Sequence, residues 1–318
     1  MAMPLLFVGC SRPPEFWQEA KPGQLKILVT FPPLYAITHA IAGEDAYVLS
    51  MLSGQGPHGY EGAPTDVLKV NDANLLIYNG LTLDDDFVGR MLRTHQNSKL
   101  SRLNVGQLLE KKHHDLMLHN EQEHDHGDGK PHVHGHHDPH IWLGPKQATV
   151  MAKIIANKLG ELDSGKKEKF ELRAKAFGEQ MAELQAYGEK AFKDIDKKKR
   201  NILTMHEALA YFAAAFDIEI VGSFQPRPGM DADPVAMSKL AKLVKEKNVR
   251  VIAVEPQYSR AQAEALQASL KRDKIDVTIV TIDPLETAPI AAGSANPAPA
   301  YYITKMRENI DALAKAFQ

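Results

Sequence analysis

The sequence has little cysteine and no long hydrophobic run, and both shortages narrow the choice of protein class. The single thiol, Cys10, can form neither an internal disulfide nor a zinc site built from several thiolates. No apolar stretch reaches the ~18 residues that a transmembrane helix needs. Lys and Arg (38) nearly balance Asp and Glu (40), so no basic field favours nucleic acid. What remains is an ordinary globular composition and, at 318 residues, enough chain for two domains.

The N-terminal stretch that contains the cysteine has the pattern of a processing site. Apolar residues 3–8, then Gly9, Cys10 and Ser11, resemble the end of a bacterial lipoprotein signal, in which the cysteine is lipidated and becomes the mature N-terminus. A basic start is missing and the apolar part is short, so a plain exposed cysteine is the alternative. We favour lipidation and expect residues 1–24 to be a signal remnant and tether.

A histidine-rich segment covers residues 113–137. Almost nothing in it is apolar, so it cannot bury enough surface to order itself, and we expect a mobile loop. Neutral imidazole binds zinc, copper and nickel well, which predicts auxiliary metal binding; a solubilising loop or a tag is the alternative. The candidate auxiliary ligands here are His113, His114, His119, His124, His126, His132, His134, His136 and His137.

Short β-type runs alternate with helical patterns over the rest of the chain. Each half has about four such strands, which predicts an α/β fold of two lobes, each with a roughly four-stranded parallel sheet flanked by helices. We place the first lobe at residues 25–162 and the second at 200–318. Between them, residues 163–199 are rich in helix-forming residues with apolar positions at helical spacing, and we expect one long helix there.

Four potential metal ligands follow strands in this reading. His58 comes after the second strand, His140 after the fourth, His206 after the fifth and Asp283 after the last. Ligands of parallel α/β sheets bind at the carboxyl ends of the strands, so these side chains can reach one crevice, two from each lobe. Three imidazoles and a carboxylate form a closed tetrahedral set for Zn²⁺. Glu61 could replace or supplement a ligand, and each residue taken singly could be an ordinary loop side chain.

The motifs around these residues occur together in a known family. The chain resembles the zinc-binding, ZnuA/TroA-like (cluster A-I) solute-binding proteins of bacterial ABC importers, from about residue 25 to the end. Two departures are Asp233-Pro234-Val235, where the family often has Glu-Pro-Ser, and Glu286, where a glycine usually follows Asp-Pro-Leu. The motifs that carry the resemblance are Gly56-Pro57-His58-x-Tyr60-Glu61, Asp138-Pro139-His140-Ile141-Trp142-Leu143, Met205-His206-Glu207-Ala208-x-x-Tyr211-Phe212, Val254-Glu255-Pro256-Gln257 and Asp283-Pro284-Leu285.

The resemblance implies a carrier rather than an enzyme. It implies a rigid linking helix, ligand roles for His58, His140, His206 and Asp283, and a monomer that captures Zn²⁺ outside the cytoplasmic membrane, in the periplasm or on a lipid anchor, for an ABC permease. Manganese-binding relatives typically have glutamate at the position of His206, so histidine there favours zinc. A zinc hydrolase is disfavoured because four ligands leave no open coordination position. The alternatives are a metal-binding surface adhesin, a zinc-storage protein, or the same transport role with Mn²⁺.

Overall fold

Two parallel four-stranded sheets organise the chain in the computed structural model, which describes residues 16–119, 137–225 and 227–318. The strand order is β2-β1-β3-β4 in the first sheet and β6-β5-β7-β8 in the second. The predicted fold class, with two α/β lobes, is confirmed. The strands are β1 (Leu25–Val29), β2 (Ala46–Ser50), β3 (Leu75–Tyr78), β4 (Ser101–Asn104), β5 (Asn201–Thr204), β6 (Glu219–Ser223), β7 (Val251–Val254) and β8 (Thr278–Thr281).

Helices cover both faces of each sheet, which is why the central strands are apolar on both sides. Leu75, Leu76 and Ile77 on β3 are all fully buried, as expected for a strand between two helical layers. The α-helices in the described part of the chain are α1 (Pro32–Ala42), α2 (Pro64–Asn71), α3 (Asp85–Thr94), α4 (Val105–Lys112), α5 (Pro145–Leu162), α6 (Lys167–Phe192), α7 (Ala210–Ala215), α8 (Pro234–Lys247), α9 (Ala261–Arg272) and α10 (Tyr301–Ala316).

The linking helix is α6, which spans 26 residues and is therefore about 39 Å long at 1.5 Å per residue. It begins at Lys167, after a 3₁₀ turn at Ser164–Lys166, and so starts later than the sequence predicts. Its buried side chains include Phe170, Phe177 and Leu184. Through them α6 packs against α1 and α5 of the first lobe and α10 of the second, so one helix supports both lobes.

Two features of the first lobe differ from expectation. The predicted tether is not free over its whole length: Trp17 is buried, and its Nε1 donates to Lys69 O at 3.2 Å. Cys10 lies outside the described residues. The histidine-rich segment does not directly follow β4, because α4 intervenes. The Asn104 side chain accepts from Gln107 N and caps α4, a start signal that the sequence offered.

Within the described ranges, no helix combines the length and the apolar character required to cross a membrane.

Candidate metal centre

Four side chains from four different loops meet between the lobes. His58 lies in the loop between β2 and α2, and His140 stands just before the 3₁₀ turn Ile141–Leu143 that leads into α5. His206 follows β5, and Glu286 follows β8. His140, His206 and Glu286 are buried, whereas the His58 side chain is 22% exposed. Each lobe therefore contributes two residues, and His58 is the one open to solvent.

The reactive atoms of these side chains converge on one point. His58 Nε2 lies 3.1 Å from Glu286 Oε1 and 3.2 Å from His140 Nε2. The Nε2 atoms of His140 and His206 each lie 3.4 Å from the same carboxylate oxygen. Ligand atoms around a tetrahedral zinc ion with bonds of ~2.0–2.2 Å are separated by roughly 3.3–3.6 Å. The spacing of these four atoms thus fits a tetrahedral set almost without movement.

Carboxylates behind two of the imidazoles fix which ring nitrogen faces the centre. Asp138 Oδ1 lies 2.9 Å from His140 Nδ1, and Glu255 Oε1 lies 2.7 Å from His206 Nδ1. Glu255 is itself held by the Gln257 amide, which donates to its other oxygen at 2.9 Å. A ring whose Nδ1–H donates to a carboxylate presents the Nε2 lone pair to the centre and becomes a stronger base.

One of these Nε2 atoms has nothing to bond with. His206 Nε2 is buried and has no hydrogen-bond partner among the described residues. A buried polar atom without a partner costs free energy, and a cation at the centre would satisfy this one together with the neighbouring His140 and His58 nitrogens. The donor set therefore fits a divalent metal ion.

The acidic surroundings change the protonation of the imidazoles. Burial disfavours the charged imidazolium of His140, but the carboxylates of Asp138 and Glu286 outweigh burial and raise its pKa to about 9. The same opposition, with Glu255 and Glu286 prevailing over burial, raises the pKa of His206 to about 10. Burial would raise the pKa of Glu286 itself, yet the three imidazoles hold that pKa well below its usual value. The centre thus attracts positive charge, either protons or a metal ion.

The carboxylate at the centre is Glu286, whereas the sequence and the resemblance both pointed to Asp283. Asp283 Oδ1 accepts from Leu285 N at 2.8 Å and Oδ2 accepts from the Tyr301 hydroxyl at 2.8 Å. This carboxylate is engaged in shaping the loop and is absent from the group of converging ligands. Leu285 then adopts φ +65°, a left-handed conformation that non-glycine residues rarely take, and the chain turns so that Glu286 faces the imidazoles.

A signal for Glu286 was present in the sequence. It is an acidic residue close behind a β-type run, at a position where the resembling family usually has glycine. Burial of a carboxylate is rare unless the charge is paired, so an acidic residue beside apolar neighbours is a ligand candidate. The strand-end rule missed it because the rule identifies which loops meet, not which side chain of a loop points inward.

The remaining predicted metal residues fall into three groups. Glu61 is exposed and belongs to neither of the two His/acidic groups found in the described residues. His114, His119 and His137 form the second of those groups, and His113 stands half-buried beside it. Predictions for five more histidines lie outside the described residues: His124, His126, His132, His134 and His136.

A family model matches almost the whole chain. It describes ZnuA, the periplasmic component A of a zinc-uptake complex, and it covers residues 27–316.

Curated relatives and solved structures have the same character. The zinc-binding lipoprotein AdcA of Streptococcus pneumoniae is 29% identical over 320 residues, which is 97% of this chain but only 58% of AdcA. The high-affinity zinc uptake system protein ZnuA of Bacillus subtilis is 29% identical over 299 residues, 93% of this chain and 88% of that protein. A Zn(II)-bound mutant variant of S. pneumoniae AdcAII is 26% identical, with a TM-score of 0.74, over 94% of this chain and all of that one.

Glu286 and Asp283 can be separated by paired substitutions. Glu286→Gln removes the charge that touches all three imidazoles, and we expect zinc affinity to fall by more than the about 10- to 100-fold typical of outer partners. Asp283→Asn keeps the loop contacts nearly isosteric, so a loss of at most about 10-fold is expected. Competition against a chromophoric chelator measures both. If Asp283→Asn were the more damaging change, the placement of Glu286 as the fourth ligand would be wrong.

Proposed function

The chain belongs to the ZnuA family of zinc-uptake components, and we propose that it captures Zn²⁺ outside the cytoplasmic membrane and delivers the ion to an ABC importer permease. The proposal rests on one observation above all: three imidazole nitrogens and one carboxylate oxygen converge between the lobes at tetrahedral spacing. His58, His140, His206 and Glu286 would hold the ion as cargo. The family and the names of the relatives support the same role.

The donor set favours zinc over the alternative cargo, Mn²⁺. Imidazole is a good ligand for zinc, whereas manganese prefers carboxylate, carbonyl and water oxygen. Here three of the four donors are nitrogen. One carboxylate leaves a bound Zn²⁺ site with a net charge near +1, and Asp138 and Glu255 behind the rings offset it. A nitrogen-rich centre with outer carboxylates supports selective capture of zinc.

Capture fits the site better than hydrolysis does. A catalytic zinc ion needs an open coordination position for water and a nearby general base. The four converging side chains complete a tetrahedron, so no position is left for a reacting water molecule. We therefore propose a carrier without enzymatic activity.

The partially exposed His58 indicates how an ion enters and leaves. His140, His206 and Glu286 are each at most 4% exposed, while the His58 side chain is 22% exposed. His58 lies on the loop between β2 and α2, so it can be the first imidazole to meet an incoming ion and the first to release it. Delivery would then need only this loop to move while the buried ligands stay in place.

Attachment to the membrane and the oligomeric state complete the proposal. We retain lipidation at Cys10, which would hold a monomeric carrier at the outer face of the cytoplasmic membrane near its permease. The relative AdcA is described as a lipoprotein, which supports this assignment.

Transport is tested in cells that lack the gene for this protein. We expect the wild-type gene to restore ⁶⁵Zn uptake and growth under chelation, and His206→Ala to restore neither, because it removes a buried ligand. His95→Ala is the matched control, since His95 lies outside both ligand groups. Normal uptake with His206→Ala, or no effect of the deletion on uptake, would instead favour an adhesin or storage role.

Zinc binding should weaken as the pH falls. Below their raised pKa values of about 9 and about 10, His140 and His206 carry protons that zinc must displace. Affinity should therefore decrease continuously from about pH 9 to about pH 6, with net proton release on binding. Calorimetry in buffers of different ionisation enthalpy measures the protons released. Glu255→Gln should reduce that number, because Glu255 raises the pKa of His206; binding without proton release would contradict the account.

A further inference from the structure

The base of the histidine-rich segment brings a second set of imidazoles together. His119 and His137 face each other in an isolated antiparallel bridge, and His114 lies in the 3₁₀ turn His114–Leu116 just ahead of them. The ring centroids are 4.6 Å apart for His119 and His137, 4.9 Å for His114 and His137, and 5.9 Å for His114 and His119. We call this group the neck cluster. One ligand nitrogen from each ring lies within 4.8 Å of the other two.

His137 is prepared for a metal ion in the same way as the interlobe histidines. Its side chain is 4% exposed, and its Nδ1 lies 2.8 Å from Glu110 Oε1 on α4. Its Nε2 is buried and has no hydrogen-bond partner among the described residues. An imidazole that donates from Nδ1 to a carboxylate offers a lone pair on Nε2, as in carboxylate–histidine–zinc arrangements.

The backbone of the neck is fixed by a residue of the second lobe. The Tyr211 hydroxyl accepts from Leu118 N at 3.1 Å and donates to Asp138 O at 3.0 Å. Asp138 N donates to Leu118 O at 2.8 Å. Both ends of the histidine-rich segment are thus held together beside the neck cluster, so the three imidazoles are brought close before any ion binds.

We propose that the neck cluster is a second binding site for a divalent transition metal ion of the imidazole-binding class, with zinc as the natural probe. His114, His119 and His137 supply three nitrogen ligands, and one tetrahedral position stays open for water or a further ligand. Because His114 and His119 are exposed, the ion exchanges with solvent more readily than one held between the lobes. The site does not depend on the transport role proposed above.

The two metal sites differ in charge as well as exposure. The interlobe group contains a buried carboxylate, whereas the neck cluster contains none, and its Glu110 contact is on the far side of the His137 ring. With neutral ligands only, the neck cluster leaves the full charge of the ion uncompensated at the first coordination sphere. Its affinity is therefore lower, and it fills after the interlobe site.

The test compares two double substitutions in the full-length chain. His114→Ala/His119→Ala removes two exposed members of the neck cluster, and His124→Ala/His126→Ala removes the same number of imidazoles from the same segment. Titrating zinc against a chelator, we expect wild type to bind a tight first equivalent and a weaker second one. The neck substitutions should weaken the second equivalent by at least about 10-fold, and the control should preserve it.

A third variant tests the orienting role of Glu110. Glu110→Gln retains every imidazole, and we expect a loss of about 10- to 100-fold for the second equivalent alone. The proposal is overturned if the neck substitutions leave the second equivalent unchanged, if the control weakens it equally, or if Glu110→Gln has no effect. Because the first equivalent is read separately, failure of the neck site and failure of the interlobe site give different titration curves.

Discussion

A single buried carboxylate is the constraint on which the interlobe arrangement depends. Glu286 is 1% exposed and has three imidazoles within 3.4 Å of one oxygen, so its charge is stabilised only by what those rings carry. Protons on the rings, or a metal ion among them, supply the required positive charge. A buried carboxylate without either is costly. Loading with zinc therefore exchanges one compensating cation for another, which couples cargo to proton release.

Hydrogen bonds between the lobes keep this carboxylate opposite the histidines of the first lobe. Trp142 Nε1 donates to Pro284 O at 2.8 Å, and the Tyr302 hydroxyl donates to Trp142 O. Trp142 is only two residues from His140, and Pro284 only two from Glu286, so the contact sets the distance between ligands of opposite lobes. With α6 supporting both lobes, these bonds favour small local motion around His58 over wide opening. The ligands are thus preorganised, which lowers the cost of binding.

Sequence reasoning predicts the fold well because strand alternation and helical spacing are local signals. It also predicts that His58, His140 and His206 meet, since parallel sheets place their strand ends at one edge. It fails at Asp283 because hydrogen bonds from Leu285 N and the Tyr301 hydroxyl, the latter 18 residues away, decide which carboxylate turns inward. The neck cluster could not be singled out from nine similar histidines, because the His119–His137 bridge and the Tyr211 contact are tertiary.

The most direct test of the interlobe centre is diffraction at the zinc absorption edge from crystals loaded with one equivalent of zinc. The account predicts one anomalous peak between the lobes, ~2.0–2.2 Å from Nε2 of His58, His140 and His206 and from a Glu286 oxygen. A peak bonded to Asp283, or a first equivalent bound only by histidines of the 113–137 segment, would contradict it.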